Sequence, residues 1–203
     1  MSLSTYGQLK TAIQNWQYNA GTLTAEAADL VTLAQGYINR RLRCRQMVTT
    51  TDLSPTSGVF TIPSNYLQVR SVVELDTYRR PLQYIAPEKA DAFYPYRESG
   101  EGRHFTIVGS SLRVYPTVTN DIELTYYAAL AAFTDDADTD WLLTRFPNLY
   151  LNAGQMYAAE FLKDDAEVSK QAVIVDQYIG MLNAEDDGAE WATGAYQAEG
   201  YVY

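Results

Sequence analysis

Few side chains in this sequence could make or break a bond. His104 is the single histidine of 203 residues and Cys44 the single cysteine, so no histidine-based triad or multi-histidine metal site can be assembled within one chain. His104 stands beside Phe105 where a strand should start, and reads as a structural histidine. Cys44 lies among arginines, which could lower its pKa. With no histidine near it in sequence it reads as an ordinary thiol, and with no second cysteine there is no disulfide framework. Glycine-rich phosphate motifs are absent. Glu98 and Glu101 could in principle do glycosidase work, but nothing in the sequence fixes their separation. No catalytic residue, metal ligand or cofactor is expected, and the chain is not read as an enzyme.

The most tempting constellation is Asp135-Asp136-Ala137-Asp138-Thr139-Asp140. With Asp136 as position one, Asp138 and Asp140 fall at positions three and five of a calcium loop. The glycine required at six is Trp141, however, and the bidentate glutamate at twelve is Pro147. The match fails where geometry is strictest, so the run reads as acidic capping ahead of a helix that starts near Trp141.

Arg40, Arg41, Arg43 and Arg45 place four of the 15 basic residues within six positions. They could touch phosphate, pair with acidic residues of a neighbouring subunit, or form a solvated helix end. The sequence does not separate these. The charge balance favours the second: residues 1–120 hold 12 basic and 9 acidic side chains, residues 121–203 hold 3 and 16. A second part with net charge −13 argues against tight, sequence-independent nucleic-acid binding. It suits solubility, or a surface that faces DNA without sticking to it. The 17 tyrosines fit either interfaces or strands.

Periodicity places these residues on elements. Thr5 and Gln8 have capping-box spacing, and Leu9, Ile13 and Trp16 follow on one helical face. A second helix is expected from Thr24 to about Arg45, with Ala27, Leu30, Ala34, Ile38 and Leu42 on its apolar side. From Gln46 the period becomes alternating. About six short strands are expected before Ala128, ordered as sequential hairpins in an antiparallel sheet or small sandwich. The strand at Val59 should pair back on the one before it. Along Leu67, Val69, Ser71, Val73 and Leu75 one face is expected, with Gln68, Arg70, Val72 and Glu74 on the other. Arg79-Arg80-Pro81 reads as a turn and Gly109-Ser110 as a type II′ turn. Helical period resumes at Pro147, with Tyr150, Ala153, Gly154 and Ala158 on one face. A capping pair at Asp164 and Glu167 then precedes Val168, Ala172, Val175, Ile179 and Leu182.

The expected fold is therefore α+β. Residues 1–45 and 129–184 form a helical bundle, 46–128 an inserted β domain, and 185–203 an extended C-terminal arm without regular structure. That arm carries Trp191, Tyr196, Tyr201, Val202 and Tyr203. It reads either as a floppy end or as a segment that orders on a partner. No apolar run approaches the roughly 18 residues of a membrane span, and the start MSLSTYGQLK lacks the features of a signal peptide, which points to synthesis and retention in a cytoplasm.

Several stretches resemble head-to-tail adaptor proteins of tailed bacteriophages, also called head-completion or connector proteins. They are Ser4-Thr5-Tyr6-Gly7-Gln8-Leu9, Ile62-Pro63-Ser64-Asn65-Tyr66-Leu67 and Leu124-Thr125-Tyr126-Tyr127. After the acidic loop come Thr139-Asp140-Trp141-Leu142-Leu143 and Phe146-Pro147-Asn148-Leu149-Tyr150, then Glu160-Phe161-Leu162 and Asp164-Asp165. The resemblance covers most of residues 4–183 and implies a virion protein. Such a protein forms a ring, typically a dodecamer, that docks under the portal at the capsid vertex, extends the DNA channel and gives the tail its platform. Its partners would be the portal, tail or nozzle proteins, further copies of itself, and passing double-stranded DNA without specific binding. The arm with Trp191 and Tyr196 to Tyr203 would reach onto the portal. A β-rich aromatic module for glycan or peptide ligands is the alternative.

Overall fold

The apolar period of the terminal regions is satisfied by helices that bury one face each. The computed structural model describes residues 3–16, 23–96 and 98–194, with side chains to Glu185. It divides into two compact units, Met1–Cys44 with Leu130–Tyr203, and Arg45–Ala129. The first unit holds α1 (Tyr6–Trp16), α2 (Ala27–Arg41), α4 (Trp141–Arg145), α5 (Pro147–Phe161) and α6 (Asp165–Gly194). The short α3 (Pro87–Phe93) belongs to the second unit.

Helix α5 is the hub, because α1, α2, α4 and α6 all pack on it. Leu149, Tyr150, Ala153, Gly154 and Ala158 are buried on it, and each fully buried Leu or Ile contributes on the order of 2 kcal/mol. Small residues set the approach distance. A Cβ on Gly154 would lie 2.3 Å from Cδ1 of Ile13, so α1 crosses α5 where only glycine leaves room. The amide of Gln155 reaches across the same crossing to the carbonyl of Ile13 at 3.2 Å.

Helix ends are closed by local chemistry. The Gln8 N–H donates to Thr5 Oγ1 at 3.4 Å and the Ser4 N–H to Gln8 Oε1 at 2.9 Å, the expected reciprocal cap with one half shifted by a residue. Asp164 caps α6 through the Glu167 N–H at 3.1 Å. Between α5 and α6, Lys163 adopts φ +60°. Its N–H reaches Glu160 O at 3.1 Å and that of Asp164 reaches Ala159 O at 2.9 Å. This is a Schellman closure in which lysine stands where glycine is usual.

Three helix limits differ from expectation. Residues 24–26 form a turn, and α2 begins at Ala27 after Glu26, which makes no side-chain cap bond. Its end comes at Arg41 rather than Arg45, because Leu42 turns extended (ψ 129°) and Arg45–Met47 is a separate 3₁₀ turn. At the other end of the chain, α6 continues through Gly194 into the segment expected to lack regular structure. Ala184, Glu185, Ala189 and Glu190 are good helix formers, and extending an existing helix avoids the cost of nucleation.

The second unit is a sandwich. One sheet has the order β1-β8-β3-β4, from Val48–Leu53, Ile122–Ala128, Tyr66–Leu75 and Arg79–Pro81. The other has the order β2-β7-β6-β5, from Val59–Thr61, Ser111–Tyr115, His104–Val108 and Gln83–Tyr84. Helix α3 (Pro87–Phe93) follows β5. Phe60, Phe105, Leu112 and Val114 from one sheet meet Val72, Ile122, Leu124 and Tyr126 from the other in a shared core. Gly109 has φ +59° and Ser110 no positive φ, the expected type II′ signature joining β6 to β7.

Pairing departs from sequential hairpins. β1 pairs with β8 and β2 with β7, so the turn at 54–58 carries the chain from one sheet to the other. Arg79–Pro81 is a strand on β3 rather than a turn, and β5 runs parallel to β6. In β3 the register shifts between Tyr66 and Gln68 and again between Val69 and Ser71. The second bulge reverses the alternation set by Val69, so Val72 and Glu74 are buried where an unbroken pleat would expose them.

Candidate functional site

In the helical unit the acidic run is spent on structure. Asp138 Oδ2 accepts the N–H groups of Thr134 and Asp135 at 2.7 and 2.8 Å, and the Thr134 hydroxyl at 3.0 Å. These bonds hold its carboxyl below the ordinary range, led by the Asp135 N–H. The loop then feeds the start of α1. The Tyr6 N–H donates to Asp138 O at 2.8 Å, the Gly7 N–H to Asp136 O at 3.0 Å, and Lys10 pairs with Asp136 at 2.6 Å. Orphan amides of α1 are thereby answered by backbone carbonyls.

Asp140 closes the run. Its Oδ1 accepts the Leu143 N–H at 2.6 Å as the N-cap of α4, and its Oδ2 accepts the Tyr150 hydroxyl at 2.6 Å. Gln35 Nε2 donates to Tyr150 Oη at 3.2 Å and to Ala131 O at 3.0 Å. Burial, then the charge of Asp140, pushes the Tyr150 phenol far up, so it stays a donor. Among the described residues no group of three or more His, Cys, Asp or Glu side chains could hold a metal ion. No described helix is long and apolar enough to cross a membrane.

The arginines expected as one cluster are divided. Arg41 pairs with Asp176 of α6, donates to the Tyr37 hydroxyl and lies 4.3 Å over the Tyr37 ring. The Tyr37 hydroxyl donates to Asp176 at 2.7 Å. That bond and the Arg41 guanidinium hold the Asp176 carboxyl below its usual range against an opposing desolvation. Arg43 donates to the carbonyls of Asn39 and Leu42 at 2.8 and 2.6 Å, while its N–H is taken by Asn183 at 2.9 Å. Arg40 is exposed, its Nε on the Gly36 carbonyl at 3.2 Å. Arg45 is exposed and belongs to the other unit. Arg41 and Arg43 thus fasten α2 to α6, and Arg40 offers the more open charge.

Trp191 lies on α6, but its side chain is beyond the described atoms, and Tyr196, Tyr201, Val202 and Tyr203 lie outside the described residues.

The β unit presents features that sequence reasoning passed over. Glu74 is 1% exposed and accepts from the Gly102 N–H at 3.0 Å, Asn120 Nδ2 at 3.2 Å and Arg80 at 3.3 Å. Arg80 also reaches Glu101 at 3.4 Å. This buried carboxylate staples the loops at Gly102 and Asn120 to strand β4. Its only signal in sequence was an acidic residue in the apolar second half of a strand, after Val72 and Val73. His104 accepts or donates at Nδ1 to the Tyr94 hydroxyl at 2.7 Å, and Tyr94 stacks on Tyr115 with centroids 5.6 Å apart. Beside them Phe93, Tyr94, Pro95, Tyr96, Glu98 and Pro116 line a cleft of about 220 Å³. Phe93 and Tyr96 are 70% and 82% exposed, and Tyr78 and Tyr84 are also open. Solvated aromatics of this kind suit protein contact.

The arrangement is one of surfaces, with Asp138, Asp140, Arg41 and Glu74 committed to holding elements together. The family model described as SU10 adaptor protein matches residues 4–198. No curated protein matches the chain. With both the helical and the inserted β unit inside that match, the chain belongs to the SU10 adaptor protein family and is a phage adaptor protein.

Proposed function

We propose that this adaptor assembles into a dodecameric ring that docks under the portal, extends the DNA channel and gives the tail its platform. Its role in the virion is structural, without catalysis. The observation that carries this reading is the family match across both units, taken with how charge divides between them. The helical unit holds 7 basic and 16 acidic side chains, net −9, and the β unit 8 and 9, net −1. A closed ring needs one face of a subunit to meet a different face of the next, and unlike units supply that. Acidic surface facing the channel repels the DNA backbone and leaves a passing duplex unbound. Arg40 is the inter-subunit contact we favour on the helical unit, with Arg45 on the β unit. The segment from Trp191 through Tyr196, Tyr201, Val202 and Tyr203 docks on the portal.

Electron microscopy of the protein mixed with its portal tests this. Ring density beneath the portal is the expected result, lost on truncation after Gly194. A portal with nothing bound to it would reject the reading. The aromatic cleft at Phe93 and Tyr96 favours a second reading, a glycan or peptide module. Glycan-array binding by a lasting monomer, abolished by Tyr96→Ala, would select it.

A further inference from the structure

The sheet β2-β7-β6-β5 has one face in the core and one outside it. Phe105, Leu112 and Val114 point inward with Phe60, so His104, Thr106, Arg113 and Tyr115 occupy the other face. Helix α3 covers one end of that face, with Ala90 and Tyr94 packed on Ile85 and Tyr115. At the other end Val108 is open to solvent. Between these ends, Thr106 stands directly across from Arg113 in the β6–β7 ladder.

This pair carries polar atoms that the unit leaves unanswered. Thr106 is 1% exposed, yet its hydroxyl has no hydrogen-bond partner among the described residues. The same is true of the buried Nε of Arg113. Nor does Arg113 form an ion pair with a described carboxylate, whereas Arg79 and Arg80 of the same unit pair with Glu123 and Glu74. Buried polar atoms left in this way are costly and call for a partner. A guanidinium beside a hydroxyl is a donor set matched to a carboxylate. A phosphate backbone would require more cations, and the ladder neighbours of Arg113 are the uncharged Val59 and Thr106.

We infer that Arg113 and Thr106 form a socket for a carboxylate of a second copy of this chain, supplied by its acidic helical unit. On docking, the Arg113 side chain swings off the sheet face, so that its Nε and the Thr106 hydroxyl, both buried in the isolated chain, open to the carboxylate. The socket rests on the self-assembly proposed above and gives the heterologous contact a chemical identity: the near-neutral β unit of one copy against the net −9 helical unit of the next.

Native mass spectrometry of the full chain, alone and with portal, compares wild type with Arg113→Met, Arg113→Lys and Thr106→Val. Arg113→Met is expected to raise the concentration for half-assembly about tenfold or more, with Arg113→Lys milder. The dissociated variants should melt no lower than wild type, since an orphaned polar group has been removed; a purely structural role would lower melting instead and overturn the socket. Arg113→Lys also introduces an amine, which zero-length carbodiimide coupling should join to an acidic residue of segments 1–44 or 130–203 in a differently isotope-labelled copy. Rings that form equally well with Arg113→Met overturn the socket and leave the ring reading standing. A wild-type chain that stays monomeric with and without portal overturns both. Short duplex DNA held by wild type and released by Arg113→Met would identify phosphate and reject the carboxylate.

Discussion

The two units bury carboxylates in opposite ways. In the helical unit Asp140 takes two neutral donors, the Leu143 N–H and the Tyr150 hydroxyl, at the edge of the core. In the β unit Glu74 sits deeper and takes a mixed set, the Gly102 N–H, the Asn120 amide and the Arg80 guanidinium. The first carboxylate ends a helix and so adds to an element that packing already fixes. The second ties the loops at Gly102 and Asn120 to its own ladder partner Arg80, and its loss would leave a cation and two polar groups facing an emptied site. A bundle tolerates such a change locally, while a sandwich of short strands depends on the staple.

The sharpest test of this contrast is Glu74→Leu, expected to cost about 3–5 kcal/mol by leaving Arg80 and the Gly102 N–H without their acceptor. Chemical denaturation would measure it, and a loss below about 1 kcal/mol would erase the distinction between the carboxylates. Gly154→Ala comes next. Its methyl would meet the fully buried Ile13 at 2.3 Å, so about 1–3 kcal/mol of overpacking is expected, read from the same curves. Tyr150→Phe should cost about 1–2 kcal/mol, because Asp140 Oδ2 and Gln35 lose a shared partner. Lys163→Gly should stabilise by roughly 0.5–1 kcal/mol by relieving the left-handed backbone at φ +60°, seen as a small rise in Tm. The last effect is on pH. Asp176 has its folded pKa lowered, so its contribution is present above the unfolded value near 3.9 and fades as pH falls through the lower folded one. Asp176→Asn should flatten that acid limb, and an unchanged limb would show that the Tyr37–Arg41 pair contributes nothing to it.

The same contrast explains what the sequence could reveal. Leu9 with Ile13 and Val175 with Ile179 repeat at helical spacing, a pattern contained within one element, so the helices of the bundle were readable. Strand positions were readable too, as at Ile122 to Tyr126. Partner choice was not, because pairing β1 with β8 joins Val48 to Tyr127 across the whole insertion. The one-residue slip between Val69 and Ser71 was enough to send Glu74 to the face that Val69 occupies. Among the site residues, Arg40, Arg41, Arg43 and Arg45 were found as a composition anomaly. Their division followed from Leu42 turning extended, which no neighbouring side chain announces. The orphaned pair Thr106 and Arg113 looks in sequence like any polar position on an outer strand face.

The β insertion leaves and rejoins the helical chain on adjacent strands, since β1 and β8 are hydrogen-bonded with Val48 opposite Tyr127. Its two attachment points are therefore about one strand spacing, roughly 5 Å, apart. The insertion thus begins and ends side by side, as a tight hairpin does, whatever its size. A lineage could lengthen, trim or replace the strands between β1 and β8 while these two ends keep their spacing.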